Sequence, residues 1–442
     1  MRGLPAFASA VLAMNPTRIE DHLKLVLLAW MIIIAVAFVF GRLGRRVGQP
    51  LAVGEIFAGI LLGPSILGAL WPEGMAMIFP PASQQSLQLL AKLGIILLMF
   101  QVGMEFDYGH LATRSKSVVA ISLMGILAPS ALGLAIGPWL YKTFPASSAV
   151  SFIGFQLFIC IALSISALPI MGRILLEMNL ERTSLGAVAI SAAAIDDVIG
   201  WIFLAVATAL VTTGFAWWKL GAQLAGLLAL VALLYWGVGP WLGRFWRFCR
   251  ARPGAADLPA QFLAVVLITL FACCYATNRL GIFSIFGAFL LGVALHRERE
   301  FVAAWRNKYS SLVLVAFVPI FFTNTGLNTK VTALNDSTAW LGCAIVLAAA
   351  VAGKLGGCWL GARFTGMEPR EALSAGALMN TRALMGLVAI NIGRELGLLS
   401  DQLFTMFVLM ALLTTVMCGP LLRWWLPPEL KARVNSADAR QD

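Results

Sequence analysis

Two consecutive aspartates, Asp196 and Asp197, lie in the middle of a long apolar stretch of small and aliphatic residues. An aspartate at the centre of a membrane helix costs about 2.5–3.5 kcal/mol on insertion scales, so such a residue is usually kept for function. Neighbouring residues of a helix point about 100° apart, so one carboxylate can face a cavity while the other faces an adjacent helix. Because carboxylates bind both protons and metal cations, the pair predicts a site where the two compete.

A lysine at similar depth in another apolar stretch offers the opposite charge. Lys354 lies in the small-residue segment 352–357, and we expect it to pair with the two aspartates. Protons and a cation that compete for the same carboxylates would be coupled in their movement by charge alone. The alternative is a buried ion pair that only fixes the register of the helices.

Polar residues interrupt two further apolar stretches. In the first, Ser164 and Ser166 precede Pro169, which has no backbone N–H and leaves a carbonyl group free about one turn earlier. The second interruption contains Asn380, Thr381 and Arg382. We predict a locally unwound helix at both places, with side chains that could support the site. A simple proline kink is the alternative for the first.

Other ionisable and sulfur-containing residues are expected to have lesser roles. Glu105, near the end of an apolar stretch, is a candidate supporting residue, whereas Glu55 and Arg382 are expected to stabilise unwound backbone or a helix contact. The seven cysteines show no paired metal spacing and are interpreted as small core residues. We therefore expect no bound cofactor.

The composition places these residues in a membrane. Of 442 residues, 60% are hydrophobic and only 12% are charged, whereas soluble domains are about 25% charged. The 41 glycines are spread through apolar stretches without ten-residue alternation, which is typical of packed helices rather than an outer-membrane barrel. The sequence therefore predicts an all-α polytopic membrane protein with no room for a separate catalytic domain.

Continuous apolar runs predict thirteen membrane-spanning helices, since each needs about 20 residues. The predicted spans are 23–40, 51–70, 86–103, 118–140, 150–177, 184–211, 217–240, 259–277, 279–296, 309–327, 338–361, 371–394 and 401–424. Residues 1–22 then form an N-terminal extracytoplasmic segment and 425–442 a short cytoplasmic tail, on either side of a transmembrane domain at 23–424.

Basic residues concentrate in alternate loops. Arg45 and Arg46 follow the first span and Arg114 and Lys116 follow the third, whereas the intervening loops carry few basic residues. The positive-inside rule therefore predicts an inner-membrane protein with its N-terminus outside and its C-terminus in the cytoplasm. This topology also explains the net charge of +11 without a nucleic-acid partner.

A segment of the second span returns in the ninth. Residues 55–63 read EIFAGILLG and residues 284–292 read SIFGAFLLG, and Gly103 near the end of span three is matched by Gly326 near the end of span ten. Spans two and nine enter from opposite sides, so we predict an inverted repeat, with repeat one at 51–211 and repeat two at 279–424. Such repeats build secondary transporters with a site near the midplane. A purely structural duplication is the alternative.

Five segments together resemble the second branch of the cation:proton antiporter superfamily, which includes bacterial sodium/proton antiporters, Kef-type potassium efflux systems and plant cation/proton exchangers. They are Val53–Ser65, Gly103–Glu105, Ala194–Val198, Gly287–Gly292 and Met379–Arg382. The resemblance covers nearly all of residues 23–424. It implies a thirteen-helix sodium/proton antiporter fold with two discontinuous helices, a homodimer, and a mobile core that carries the site past a rigid scaffold.

The resemblance also implies roles for individual residues. Asp197 would be the main ligand of the transported sodium ion and of protons. Asp196 would pair with Lys354, an arrangement associated with electrogenic exchange of two protons per sodium. Ser164 and Ser166 would be supporting ligands. In span twelve the family motif often continues with Gly and later Glu, which this chain lacks, so roles that depend on that Glu do not carry over.

The predicted function is secondary active exchange of sodium or lithium for protons by alternating access. Potassium/proton exchange of the Kef type is the alternative, because sequence does not show the geometry that selects among these ions. Only residues 425–442 follow the last span, so we expect no nucleotide-binding regulatory domain. An intramembrane aspartyl protease would need opposed aspartates on separate helices, and a channel would not explain the inverted repeat.

Overall fold

The computed structural model describes residues 16–46, 49, 51–104, 115–145, 151–178, 180, 183–212, 217–251, 257–281 and 283–431. Within these ranges the chain consists of helices joined by short connections, and no strand occurs. This confirms the predicted all-α fold class. The candidate residue Glu105 and much of both terminal segments, at 1–15 and 432–442, lie outside the described residues.

The helices of the first half are α1 (Pro16–Arg46), α2 (Leu51–Leu61), α3 (Pro81–Met104), α4 (Ser115–Thr143), α5 (Phe152–Ser164), α6 (Leu168–Glu177) and α7 (Ser184–Thr212). Two short helices, Leu67–Leu70 and Pro72–Ile78, lie between α2 and α3. The halves are linked by α8 (Trp217–Ala232), a π-helical segment at Leu233–Val238 and α9 (Gly239–Arg250).

The helices of the second half are α10 (Ala260–Arg279), α11 (Ser284–Leu295), α12 (Arg299–Trp305), α13 (Val318–Asn328), α14 (Ser337–Phe364), α15 (Pro369–Met379), α16 (Ala383–Glu395) and α17 (Asp401–Trp425). Two π-helical segments, Arg306–Ser310 and Val313–Phe317, lie between α12 and α13, where the helical path bends by 43°.

Polar caps mark where several of these apolar helices begin. The side chain of Ser151 accepts a hydrogen bond from the backbone N–H of Gly154 at the start of α5, and Asp336 accepts one from Ala339 at the start of α14. Such caps satisfy backbone donors that have no partner inside the helix. The sequence therefore sets these helix starts locally.

Eight helices in the described ranges are long and apolar enough to cross a membrane, or nine if the bent pair around 311–312 is one span. The predicted number of thirteen is not confirmed by this count and stays a prediction. The helices α5 and α11 are apolar but only 13 and 12 residues long, and breaks divide the predicted spans 150–177 and 371–394. Each of these segments is therefore too short to cross a membrane as one continuous helix.

The helices pack into two bundles. The first bundle contains α1, α2, α3, α10, α11 and α13, and the second contains α4, α5, α6, α7, α14, α15, α16 and α17. Each bundle combines helices from both halves of the sequence: α2 packs on α13, α3 on α11, and α4 on α14. The chain must therefore pass between the bundles, and the segment α8–α9 makes one of those passages.

Glycines permit two reciprocal close approaches inside the first bundle. A Cβ atom at Gly326 of α13 would overlap the backbone of Gly59 in α2, and a Cβ atom at Gly292 of α11 would overlap the carbonyl oxygen of Phe100 in α3. Small residues let membrane helices pack backbone to backbone. The repeated segments 55–63 and 284–292 thus each pack backbone to backbone, the first on α13 and the second on α3.

Both predicted helix breaks are present. The helix α5 ends at Ser164 and α6 begins at Leu168, while α15 ends at Met379 and α16 begins at Ala383. The backbone N–H of Ala167 donates a hydrogen bond of 2.7 Å to the carbonyl oxygen of Thr381. The two unwound segments therefore meet inside the second bundle.

Candidate functional site

Asp196 is buried and fully hydrogen-bonded. Its Oδ1 atom accepts a hydrogen bond of 2.6 Å from the hydroxyl group of Ser122 on α4. Its Oδ2 atom accepts one of 3.1 Å from Ser166, in the first break, and one from the ammonium group of Lys354. Only 2% of Asp196 is exposed. Three elements thus converge on this one carboxylate.

Lys354, on α14, is completely buried, and its three N–H bonds match three acceptors. Besides Asp196, the ammonium group donates to the carbonyl oxygen of Gly125 at 3.0 Å and to that of Ser164 at 2.5 Å. An ammonium group has three donors and no acceptor. A buried ion pair is tolerated when additional hydrogen bonds satisfy both partners, and this pair meets that condition.

Asp197 is equally buried but has no comparable partners. Neither of its carboxylate oxygens accepts a hydrogen bond from any described residue, although only 2% of the residue is exposed. An isolated buried carboxylate is strongly unfavourable as a bare ion. It must therefore hold a proton or a bound cation, and this requirement defines what the position can do chemically.

The amide side chain of Asn380, in the second break, is a second unpartnered group. Its Oδ1 and Nδ2 atoms are buried and form no hydrogen bond with a described residue. The hydroxyl group of Ser166 shares its one proton between the carbonyl oxygen of Met379, the residue before Asn380, at 2.9 Å and Oδ2 of Asp196 at 3.1 Å. Ser166 thus connects the aspartate pair to the break that contains Asn380.

The two serines of the first break have different environments. The hydroxyl group of Ser164 donates to the carbonyl oxygen of Cys160 at 2.6 Å and lies 2.9 Å from the hydroxyl group of Ser130. That side chain is engaged with its own helix and with α4, while its carbonyl oxygen faces Lys354. Ser166, not the Ser164 hydroxyl, reaches the aspartate pair.

The two remaining residues of the second break bind the backbone. The hydroxyl group of Thr381 donates to the carbonyl oxygen of Leu378 at 2.8 Å. The guanidinium group of Arg382 donates to Leu163 near the end of α5 and, at 2.8 Å, to Ala350 of α14. Because the carbonyl end of a helix carries partial negative charge, Arg382 and Lys354 together stabilise the interrupted end of α5.

The other sequence candidates lie elsewhere. Glu55 is partly exposed on α2, and all seven cysteines are buried and free. No group of three or more His, Cys, Asp or Glu residues that could hold a metal ion occurs within the described ranges.

The sequence analysis missed two participants in this site and one charged residue outside it. Ser122 and the carbonyl group of Gly125, both on α4, hold the Asp196–Lys354 pair, and nothing in their local sequence marks them. Lys92 could have been found, since it is a lysine inside the apolar helix α3. It is 60% exposed and pairs with Glu395 of α16 at 3.0 Å.

A buried acidic site where two helix breaks meet, set among apolar helices, is the arrangement of an ion-coupled secondary transporter. Residues 32–427 match the model of a protein family described as "sodium/hydrogen exchanger, transmembrane". The chain belongs to this family, and it is a multi-pass membrane protein. The family is one of transporters rather than of catalytic enzymes.

Two curated relatives illustrate the family. The chain is 36% identical over 403 residues to the Na(+)/H(+) antiporter NhaS4 of Synechocystis sp., with 91% of this chain and 97% of the relative covered. It is also 36% identical over 423 residues to the cation/H(+) antiporter 18 of Arabidopsis thaliana. The match covers 95% of this chain but only 51% of the plant relative, so the chain spans about half its length.

A solved structure shows the same fold. The sodium proton antiporter MjNhaP1 from Methanocaldococcus jannaschii matches with a TM-score of 0.63, covering 94% of this chain and 99% of that one. Sequence identity is 11%. The antiporter fold predicted from the sequence is therefore confirmed.

Proposed function

We propose that the protein exchanges sodium or lithium for protons across the inner membrane, with Asp197 as the group for which the cation and protons compete. The observation that carries the assignment is the contrast between two adjacent carboxylates: Asp196 has three hydrogen-bond donors, and Asp197 has none among the described residues. The relative NhaS4 is named a Na(+)/H(+) antiporter, which supports sodium as the cation.

Competition at Asp197 follows from its burial. A dehydrated monovalent cation needs several oxygen ligands, and the carboxylate of Asp197 is a charged and unoccupied one. The amide oxygen of Asn380 is buried and unpartnered, so we infer that it is a second ligand. A proton neutralises the same carboxylate, and occupancy by one species therefore excludes the other.

Lys354 and Asp196 would set the electrical coupling. Asp196 accepts the ammonium group of Lys354, and a cation beside Asp197 would draw Asp196 into its own coordination. Lys354 would then lose its ionic partner, and a proton could leave it. Release of protons from both Asp197 and Lys354 on binding one cation makes the exchange electrogenic.

Alternating access would use the two bundles. The second bundle contains both breaks and every residue of the proposed site, so we infer that it moves as a core against the first bundle. The first bundle would be the scaffold through which two copies form a homodimer. The excess of basic residues in alternate loops supports a cytoplasmic C-terminus and an extracytoplasmic N-terminus.

The test is ion exchange by the pure protein in liposomes that contain a pH indicator. Sodium, lithium or potassium is added with the membrane voltage clamped or free, and Asp197→Asn is compared with Asp257→Asn, which changes an aspartate with a 96% exposed side chain. We expect sodium or lithium to drive proton flux in the parent and in Asp257→Asn but not in Asp197→Asn.

Two results would contradict the proposal. Undiminished exchange by folded Asp197→Asn would remove Asp197 from the central role. If potassium alone drives proton flux, the proposed site stands but the transported cation is potassium rather than sodium or lithium. The name of the Arabidopsis relative is compatible with that result, because it specifies only a cation.

A further inference from the structure

A cluster of five charged residues joins the two bundles at one end of the molecule. We name it the rim; its members are Lys92, Lys330, Arg394, Glu395 and Asp401. Lys92 lies on α3 and Lys330 just after α13, both in the first bundle, while the other three lie at the adjoining ends of α16 and α17 in the second. By the predicted topology this is the extracytoplasmic end.

The ion pairs of the rim have a consistent polarity. The ammonium group of Lys92 lies 3.0 Å from the carboxylate of Glu395, and that of Lys330 lies 3.3 Å from Asp401. In both pairs the first bundle supplies the cation and the second bundle the anion. Charge complementarity thus favours this one face-to-face arrangement of the bundles.

Arg394 adds a third contact across the same boundary. Its guanidinium group donates a hydrogen bond of 2.5 Å to the carbonyl oxygen of Asn328, the last residue of α13, and pairs with Asp401 at 2.9 Å. A cation at the C-terminal end of a helix is favourable because unpaired carbonyl groups concentrate there. Arg394 thus also orients the aspartate that receives Lys330.

Beneath the rim, uncharged polar groups continue the contact toward the interior. The amide of Asn391 donates to the hydroxyl group of Thr325 at 3.0 Å, and the hydroxyl group of Thr405 donates to the carbonyl oxygen of Lys330 at 3.3 Å. Thr325 and Thr405 are buried, whereas about half of each side chain in the Lys330–Asp401 pair is exposed. The rim is therefore the solvent-facing edge of a closed boundary.

Nothing in the proposed cation site requires these contacts, because the site lies inside the second bundle. The contacts matter only when one bundle moves against the other. Exposed ion pairs are individually weak and are screened by salt, so they can break and re-form in every transport cycle.

We propose that the rim is a latch that closes this mouth of the transporter and must open each time the site faces that side. The latch holds the two bundles together through the attraction of Lys92 and Lys330 in the first bundle to Glu395 and Asp401 in the second. The inference rests on the proposed alternating access. It assigns Lys92, Lys330 and Arg394 a role in exposing the site rather than in binding the ion.

The test measures access to the boundary. Thr405→Cys places a thiol at a position that is completely buried under the rim, and the seven native cysteines are themselves buried. A membrane-impermeant maleimide is added to sealed vesicles from the side of the rim. Labelling is compared in the parent, in Lys92→Glu, in Glu395→Lys and in the double variant with the charges exchanged.

We expect each single reversal to speed labelling of the introduced thiol several-fold and the charge exchange to return it to the parental rate. Lys24→Glu is the matched control, since the ion pair of Lys24, with Asp21 at 3.0 Å, lies within α1. Raising ionic strength with choline chloride should also speed labelling in the parent. Unchanged labelling in both single reversals, or no rescue by the charge exchange, would overturn the latch.

This outcome is separable from that of the exchange experiment. Labelling requires no ion transport, so a latch can be detected in a protein that exchanges neither sodium nor protons. Conversely, the parent protein could exchange sodium for protons while its labelling rate is the same in all variants and at all ionic strengths. That result would support the proposed function and overturn the latch.

Discussion

The backbone N–H of Ala167 and the carbonyl oxygen of Thr381 lie 2.7 Å apart, although 214 positions separate them in the chain, counted from 167 to 381. Each residue lies in a helix break, where backbone groups have no helical partner. In an apolar environment such groups must be satisfied by other protein groups. Each break therefore supplies part of what the other lacks. Ser166 of the first break contacts both Asp196 and the carbonyl oxygen of Met379, just before the second break.

The two aspartates should differ in their effect on stability. Asp196→Asn leaves the buried ammonium group of Lys354 without its anion, and breaking a buried ion pair in this way costs about 3–5 kcal/mol. Asp197→Asn removes an unpartnered carboxylate, so the folded protein should be at least as stable as the parent. Unfolding temperatures in detergent, measured by size exclusion after heating, test this difference; equal losses in both variants would contradict it.

Replacing Lys354 should change the electrical behaviour of transport. In Lys354→Gln the site loses one titratable proton, so we expect exchange to become much less dependent on membrane voltage. Proton flux at clamped voltages measures this, with exposed Lys24→Gln as the control. A voltage dependence identical to that of the parent would show that Lys354 takes no part in charge coupling.

The two serines of the first break should separate binding from stability. Ser166→Ala removes the bond to Asp196 and the bond to Met379, and a hydrogen bond to a charged group contributes about 1.5–3 kcal/mol. We expect weaker apparent sodium affinity in this variant. Ser164→Ala, which loses contacts to α4 and its own helix, should lower stability with little effect on affinity. Titrating the exchange rate with sodium measures the apparent affinity of both variants; an affinity loss in Ser164→Ala as large as that in Ser166→Ala would contradict this prediction.

Close packing of α2 on α13 should make Gly326 intolerant of substitution. Gly326→Ala forces a methyl group into the backbone of Gly59, and overpacking of this kind costs about 1–3 kcal/mol. Gly356→Ala is the matched control, because a Cβ atom there meets open space on α14. The unfolding temperature should fall for Gly326→Ala but not for Gly356→Ala. If it is the same in both variants, the first bundle can relax around the added methyl group.

Much of the fold follows from the sequence because a membrane limits the alternatives. Long apolar stretches must become helices there, since backbone groups need internal partners. The same reasoning located both breaks, where Pro169 and the polar segment 380–382 interrupt apolar runs. The number of spans does not follow as directly, because helices such as α11, with 12 residues, are shorter than a membrane is thick.

The sequence by itself determined that this is an α-helical membrane protein with a deep acidic pair, a deep lysine and two broken helices. Helical geometry left open which aspartate meets Lys354; the family resemblance favoured Asp196, and the tertiary structure has that pairing. Only the tertiary structure decided that the Ser164 hydroxyl turns toward α4, that Ser122 holds Asp196, and that Lys92 emerges from an apolar helix to meet Glu395. The physical reason is that sequence fixes how deep a side chain lies, while its direction around the helix and its partner depend on how distant helices pack.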